Sequence, residues 1–313
     1  MPFLLLMRRY IKMRFAAIDI GTNSTRLLVA EKADDSLRTV CHELATTRLG
    51  QGLGQSNILL PEAQERTVRA VAQFLDLARS LGATRFRLFA TSAVRDAANQ
   101  EEFLRRVEVA TGWKPEVLSG EDEAYLSYLG ATRALGLKGL VLVIDVGGGS
   151  TEFIWGAGSE LYAVHSLKIG AVRLTEVYFK SDPPSEEEWS ALVRAVGRAL
   201  APLRAHWRGR TGQAVAVGGT ATTLAAVAQG LSSYCPEKVQ GYYLSAEKVR
   251  ALAERLAALS IREREQIVGI PAARADIIAA GAGILAVAVD ELALSGITVS
   301  DADLLLGSLY SIA

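Results

Sequence analysis

The chain has 313 residues, is 50% hydrophobic and 22% charged, and balances 34 Lys and Arg against 34 Asp and Glu for no net charge. That is enough apolar material for a real core, and more length than one core usually serves, so two domains are expected. Zero net charge offers no bulk attraction for nucleic acid or a membrane surface, so any polyanion must be gripped by local features.

At the N-terminus an apolar run over 3–7 precedes Arg8 and Arg9, the reverse of a secretory signal. A clean strand starts only after Met13, so residues 1–12 read as a disordered or optional extension. Apolar residues over 15–19, a turn at Gly21–Ser24 and a second apolar run over 27–30 predict a β-hairpin. A strand over 40–49 follows, then a helix opened by Pro61 with Val68, Val71, Ala72 and Leu75 on one face. A strand over 86–90 comes next. Asn99 with Glu102 marks a helix start, and that helix runs to about Ala110. A short strand over 116–118 and a helix over about 121–135 complete an alternating α/β first half.

The second half repeats this logic. A hairpin spans 141–155, and a strand covers 161–169. Ser185 with Glu188 forms a capping box for a helix through about Leu203. A strand over 214–217 runs into Gly218-Gly219-Thr220 and a helix, and further helices cover 245–259 and 276–294. A last strand spans 298–300 and a last helix 303–310. The longest apolar stretch, 277–289, is too short to span a bilayer, and the protein reads as soluble and cytoplasmic.

The two hairpins match each other. Asp19-Ile20-Gly21-Thr22-Asn23-Ser24-Thr25 aligns with Asp145-Val146-Gly147-Gly148-Gly149-Ser150-Thr151, which predicts two similar domains opening with the same device. Glycine lets backbone N–H groups approach a phosphate with no Cβ in the way, and successive N–H groups in a tight turn make an anion-binding concavity. Ser24, Thr25, Ser150 and Thr151 add hydroxyl donors. Asp19 and Asp145 before such turns would repel phosphate unless they hold a divalent cation, directly or through water. Taken alone, each turn is also what an ordinary hairpin needs. The third glycine turn, Gly218-Gly219-Thr220, leads into a helix N-terminus, which favours anions and also suits a plain strand–helix connection. Cys41 and Cys235 stand in no CxxC or Cys/His cluster and read as free thiols, while His42, His165 and His206 lie in unrelated segments, against a zinc site or a Ser–His–Asp triad.

Three glycine turns in this order resemble the phosphate and nucleotide motifs of actin, sugar kinases and heat-shock chaperone ATPases. More specifically, the stretches from Ala17 to Ser24, Arg48 to Leu53, Ala90 to Ala97, Ser119 to Ala124, Asp145 to Glu152 and Arg274 to Ile278 resemble the exopolyphosphatase / guanosine pentaphosphate phosphatase (Ppx/GppA) family, from Met13 to the C-terminus. The resemblance implies two actin-like (ribonuclease H-like, ASKHA superfamily) α/β domains with a cleft between them. It implies release of terminal phosphate from inorganic polyphosphate or guanosine pentaphosphate, with guanosine tetraphosphate as product. Glu123 corresponds to the family's catalytic carboxylate, Glu152 to a second functional acid, and Arg95 to an arginine that helps bind phosphate. Near a helix start at the domain boundary, Glu123 could orient and deprotonate water; first-turn acids also simply suit the helix dipole.

The resulting expectation is a phosphate clasped by Gly21, Thr22, Asn23 and Ser24 on one side and Gly147, Gly148, Gly149 and Ser150 on the other. Gly218, Gly219, Thr220 and Arg95 assist, and Mg²⁺ (or another divalent cation) is held by Asp145 and Glu152 with Asp19 as an outer partner. The expected division is 1–119 and 120–297, each with a mixed five-stranded sheet, with 298–313 packing back on the first domain. The expected assembly is a monomer or homodimer with no nucleic-acid or membrane partner. A small-molecule kinase of the same superfamily, or a guanosine tetraphosphate or nucleotide sensor without turnover, are the alternative readings. Two departures from the family stand out. Its longer members carry a C-terminal helical domain, without which distributive action on short substrates is expected; and its Arg-Glu pair before the last glycine is here Leu305-Leu306.

Overall fold

The computed structural model describes residues 13–33, 36–207 and 212–313; the extension expected over 1–12 lies outside them. The first sheet contains β1 (Arg14–Ile20), β2 (Thr25–Ala33), β3 (Ser36–Ala45), β4 (Ala83–Ala90) and β5 (Glu116–Val117), in the order β3-β2-β1-β4-β5. The second contains β6 (Leu140–Val146), β7 (Thr151–Ala157), β8 (Glu160–Leu167), β9 (Gln213–Val217), β10 (Tyr243–Ser245) and β11 (Gly296–Val299), in the order β10-β11-β9-β6-β7-β8. Each sheet has three antiparallel strands followed by two parallel ones, β1-β4-β5 matching β6-β9-β11. The architecture is therefore a duplicated actin-like α/β unit. Central strands β1 and β6 are almost wholly buried, as strands covered on both faces must be.

Four details depart from the sequence reading. The second sheet has six strands, because β10 pairs antiparallel with β11, Tyr243 opposite Thr298; three residues are too few to show alternation. Strand β3 stops at Ala45 rather than running to 49, because the next segment bends back, Arg48 N–H donating to Asn23 O (2.8 Å) and Gly50 N–H to Thr22 O (2.9 Å). Strand β8 stops at Leu167 for the matching reason: Ala171 N–H donates to Gly147 O and Val172 N–H to Gly148 O, both at 2.9 Å. Asn99 caps no helix with its side chain; its amide accepts from Leu59 N–H (2.9 Å) and donates to Leu59 O (3.1 Å) instead. The Ser185–Glu188 capping box is present, opening a helix over Glu186–Leu200.

Two helices join the halves. Helix α1 (Gly120–Ala134) buries Leu126 among Phe15, Phe89, Leu118, Leu304, Leu305 and Leu309, and its opposite face sets Ala124, Tyr128 and Ala131 against Val141, Val143 and Ile154. Helix α2 (Leu304–Tyr310) crosses α1 at glycine: a Cβ on Gly307 would lie 1.8 Å from Leu126 O, and one on Gly130 2.1 Å from Asp303 O. Leu305 is core and Leu306 half-buried, so the replacement of the family's charged pair adds packing here. Among the described residues no helix is long and apolar enough to cross a membrane.

The α1–α2 contact predicts that Gly307→Ala overpacks the joint and lowers stability by about 1–3 kcal/mol. Chemical denaturation of the variant beside wild type measures this; an unchanged midpoint would show that the joint yields freely.

Candidate active site

The three glycine turns converge on one cleft. Gly21 N–H donates to Ser24 O and Gly147 N–H to Ser150 O, each at 3.0 Å, so the two hairpin turns share the same closing bond. They also press on each other: a Cβ on Gly148 would lie 2.9 Å from Thr22 Cβ, and one on Gly149 2.6 Å from Ser92 Oγ. Only glycine permits that approach. Gly218 takes a left-handed φ of 84° beside Asp145, and Gly219 lies beneath Arg274, where a Cβ would sit 1.7 Å from Nη1. The cleft wall includes Gly21, Thr22, Asn23, Ser24, Gly147, Gly148, Gly149, Ser150, Gly218, Gly219 and Thr220, together with Asp19, Glu123 and Asp145. Glu152 and Arg95 are not part of that wall.

The acids of the cleft are buried, and their partners differ between the halves. Asp19 faces Arg26 across the first hairpin, and Asp145 faces Glu152 at the equivalent place in the second. Arg26 donates to Asp19 Oδ2 from Nη2 (2.6 Å) and Nε (3.1 Å), and also pairs with Asp303. Asp145 accepts from the Ser127 hydroxyl (2.5 Å), and Glu152 from the hydroxyls of Ser166 (2.7 Å) and Ser150. Directly opposed like charges on a sheet are destabilising, and the second hairpin sets no basic side chain opposite its aspartate as the first does. Hard oxygen donors fit Mg²⁺, which commonly takes one or two carboxylates and completes its shell with water and phosphate. Among the described residues no three Asp, Glu, His or Cys side chains gather as a ready metal cage. Asp19 Oδ1 is buried without a hydrogen-bond partner, though its other oxygen belongs to Arg26.

Glu123 lies in the first turn of α1, whose N-cap Ser119 accepts from Asp122 N–H (3.1 Å). Its Oε2 accepts from Arg95 Nη1 at 3.0 Å. The sequence reading gave no role to three charged residues of the cleft wall, Arg26, Asp303 and Arg274. The Arg274 side chain has no hydrogen-bond or ion-pair partner among the described residues, which leaves a half-buried cation facing the turns. A signal for Arg26 was available: in the aligned repeats it occupies the place of Glu152, seven residues after the hairpin aspartate.

The sequence model of the Ppx/GppA phosphatase family matches residues 28–313. The chain belongs to that family. Exopolyphosphatase 2 of Mycobacterium tuberculosis is 36% identical over 319 residues, covering 96% of this chain and 98% of that protein. A guanosine-5'-triphosphate,3'-diphosphate pyrophosphatase of Vibrio vulnificus is 30% identical over 296 residues, covering 95% of this chain and 58% of that one. The Ppx/GppA family member of Aquifex aeolicus superposes with a TM-score of 0.83 at 34% identity, over 96% of this chain and 97% of its own. An exopolyphosphatase from Cytophaga hutchinsonii superposes with a TM-score of 0.89 at 28% identity, over 96% and 97%.

In this Ppx/GppA chain, burial sets the ionisation of the cleft acids. It pushes Glu123 up to about 7 against the opposing pull of Arg95, and Asp145 up to about 6, with Asp303 adding repulsion. Glu152 is raised well above the usual carboxylate range by burial, then by Glu123 and Asp145. Burial lowers Arg274 to about 10, with Arg26 adding repulsion.

A carboxyl raised on folding favours the folded state while protonated. That contribution is complete below the unfolded value near 4 and is lost as pH rises through the folded value. Metal-free protein should therefore melt lower at pH 8 than at pH 5. Asp145→Asn should recover roughly 2–3 kcal/mol at pH 8 and little at pH 5. Calorimetric melting of both proteins at the two pH values measures the difference, and an equal effect at both would remove Asp145 from the account.

Proposed function

We propose that the chain hydrolyses the terminal phosphoanhydride bond of inorganic polyphosphate or guanosine pentaphosphate, with Glu123 activating the attacking water. The observation that carries this reading is the position of Glu123, a buried carboxylate in the wall of a cleft that also presents three glycine turns and Arg274, whose side chain has no partner among the described residues. The names of the exopolyphosphatase and pyrophosphatase relatives support the choice of substrates. We propose the domain division at 1–119 and 120–297, with 298–313 returning to the first domain; burial of Leu304, Leu305 and Leu309 beside Phe15 and Leu28 supports it.

The reaction is a displacement at the terminal phosphorus. Backbone N–H groups of the turns at Gly21–Ser24 and Gly147–Ser150, with the hydroxyls of Ser24 and Ser150, bind the outer phosphate oxygens. Arg274 takes charge on the chain. Glu123 accepts a proton as the water oxygen bonds to phosphorus and the bridging P–O bond breaks, leaving the shortened chain with the bridging oxygen. Asp145, backed by Glu152, would hold Mg²⁺, which supplies positive charge to phosphate oxygens that gain charge in the transition state. Asp19, already paired with Arg26, holds the first hairpin's charge balance. Fixed donors and cations, rather than covalent chemistry, dominate such catalysis.

The proposal predicts phosphate release from polyphosphate or guanosine pentaphosphate that depends on Mg²⁺, assayed side by side with and without the ion. Release from neither substrate contradicts it. Glu123→Gln should lower kcat by roughly 10²–10⁴-fold while substrate binding persists, because the amide keeps size but takes no proton. A rate near that of wild type would remove Glu123 as the base.

A further inference from the structure

We propose that Arg95 is a positioning residue for Glu123 rather than a ligand for the substrate's phosphates. The inference rests on the reading of Glu123 as the base. Arg95 lies in the last turn of a short helix, Ser92–Asp96, whose N-cap Thr91 and first residue Ser92 are in the cleft wall, yet Arg95 itself does not line the cleft. One nitrogen, Nη1, donates to Leu118 O (2.8 Å) and to Glu123 Oε2 (3.0 Å). These two acceptors flank the N-cap Ser119, so a single guanidinium ties the end of β5's segment to the first turn of α1. It fixes the direction of the Glu123 carboxylate and gives it the counter-charge it needs to stay ionised in a buried place.

Nη1 spends both of its N–H groups on these two acceptors, so moving the guanidinium into the cleft would cost Arg95 both bonds. It would leave the Leu118 carbonyl unpaired and a buried carboxylate without its cation, and uncompensated buried charge is costly. Arg274 already stands in the cleft with no such ties. The neighbouring residue strengthens the case. Asp96 accepts from Arg173 Nη2 (2.7 Å) and Lys168 Nζ (3.0 Å), and Arg173 Nε donates to Gly149 O (2.8 Å) in the second glycine turn. The same short helix therefore grips the phosphate turn of the second half through Asp96 and the base through Arg95. Seating that turn and aiming Glu123 are mechanically one event.

The test is a double-mutant cycle with steady-state kinetics on short-chain polyphosphate and Mg²⁺, using R95A, R95K, E123Q and R95A/E123Q. A positioning role predicts that R95A lowers kcat roughly 10- to 100-fold, less than removal of the base itself. KM should stay within about threefold at every salt concentration, and the double variant should be no slower than E123Q, because both changes act through one group. The acidic limb of the kcat profile should move to higher pH in R95A, since loss of the guanidinium favours the protonated acid, and R95K should restore part of both. A KM that rises tenfold or more, falls back towards wild type as salt increases, and rises equally in the E123Q background would make Arg95 a phosphate ligand. An arm without turnover separates this from the hydrolase reading: infrared difference titration of the Glu123 carboxyl, wild type against E123Q, repeated with and without Arg95. An upward shift without Arg95 upholds the pairing, and no shift overturns it; inactivity of wild type towards both substrates instead sinks the hydrolase reading.

Discussion

Asp145 and Glu152 sit directly across a pair of antiparallel strands, both buried, with serine hydroxyls as their hydrogen-bond donors among the described residues. The equivalent pair in the other half is Asp19 and Arg26, which balances itself. One copy of the repeat thus carries its own cation and the other leaves a place for one. That asymmetry turns a duplicated hairpin into a site with direction. The first half is braced through Arg26 to both Asp19 and Asp303, and the acidic pair of the second is where the proposed divalent ion would add positive charge.

The backbone is arranged to make this possible. Both glycine turns are tied from behind by N–H groups of the segment that follows the third strand, 48–50 in one half and 171–172 in the other. Their carbonyls are thereby occupied. The turns then meet face to face, with Gly148 and Gly149 against Thr22 and Ser92. Contact this close needs the two halves held at a fixed distance, which the glycine crossing of Gly130 and Gly307 supplies. Raised acid pKa values follow from that enclosure, since burial is the first cause at Glu123, Asp145 and Glu152 alike.

Much of this was legible in the sequence. Apolar runs before each aspartate gave β1 and β6, and the aligned turns announced the duplication. Gly21–Ser24, Gly147–Ser150, Gly218–Thr220, Glu123 and Asp145 do come together. Strand ends were misjudged at 46–49 and 168–169 because those residues bend to brace the turns, a tertiary demand with no local periodicity. Strand β10 is too short to alternate. Asn99 looks like a cap but serves Leu59, forty residues earlier. Arg26–Asp303 joins residues 277 apart, and the exposure of Arg274 to the cleft depends on Gly219 lying beneath it; neither is local information. At Arg95 the motif gives a residue type and place, while the side chain's bonds to Leu118 O and Glu123 depend on the fold.

On the proposed reading, Mg²⁺ would supply the positive charge that the buried acids of the second hairpin lack opposite them. If Asp145 is partly protonated without metal, binding of the ion must displace that proton, because the ligand has to be ionised. Calorimetric titration of Mg²⁺ at pH 6, in two buffers of different ionisation enthalpy, reads the protons released. Release of an appreciable fraction of a proton per ion is expected at pH 6, and clearly less in Asp145→Asn, where Glu152 alone of the pair is left to give one up. Tight Mg²⁺ binding with no proton release at pH 6, or unchanged release in Asp145→Asn, would contradict it.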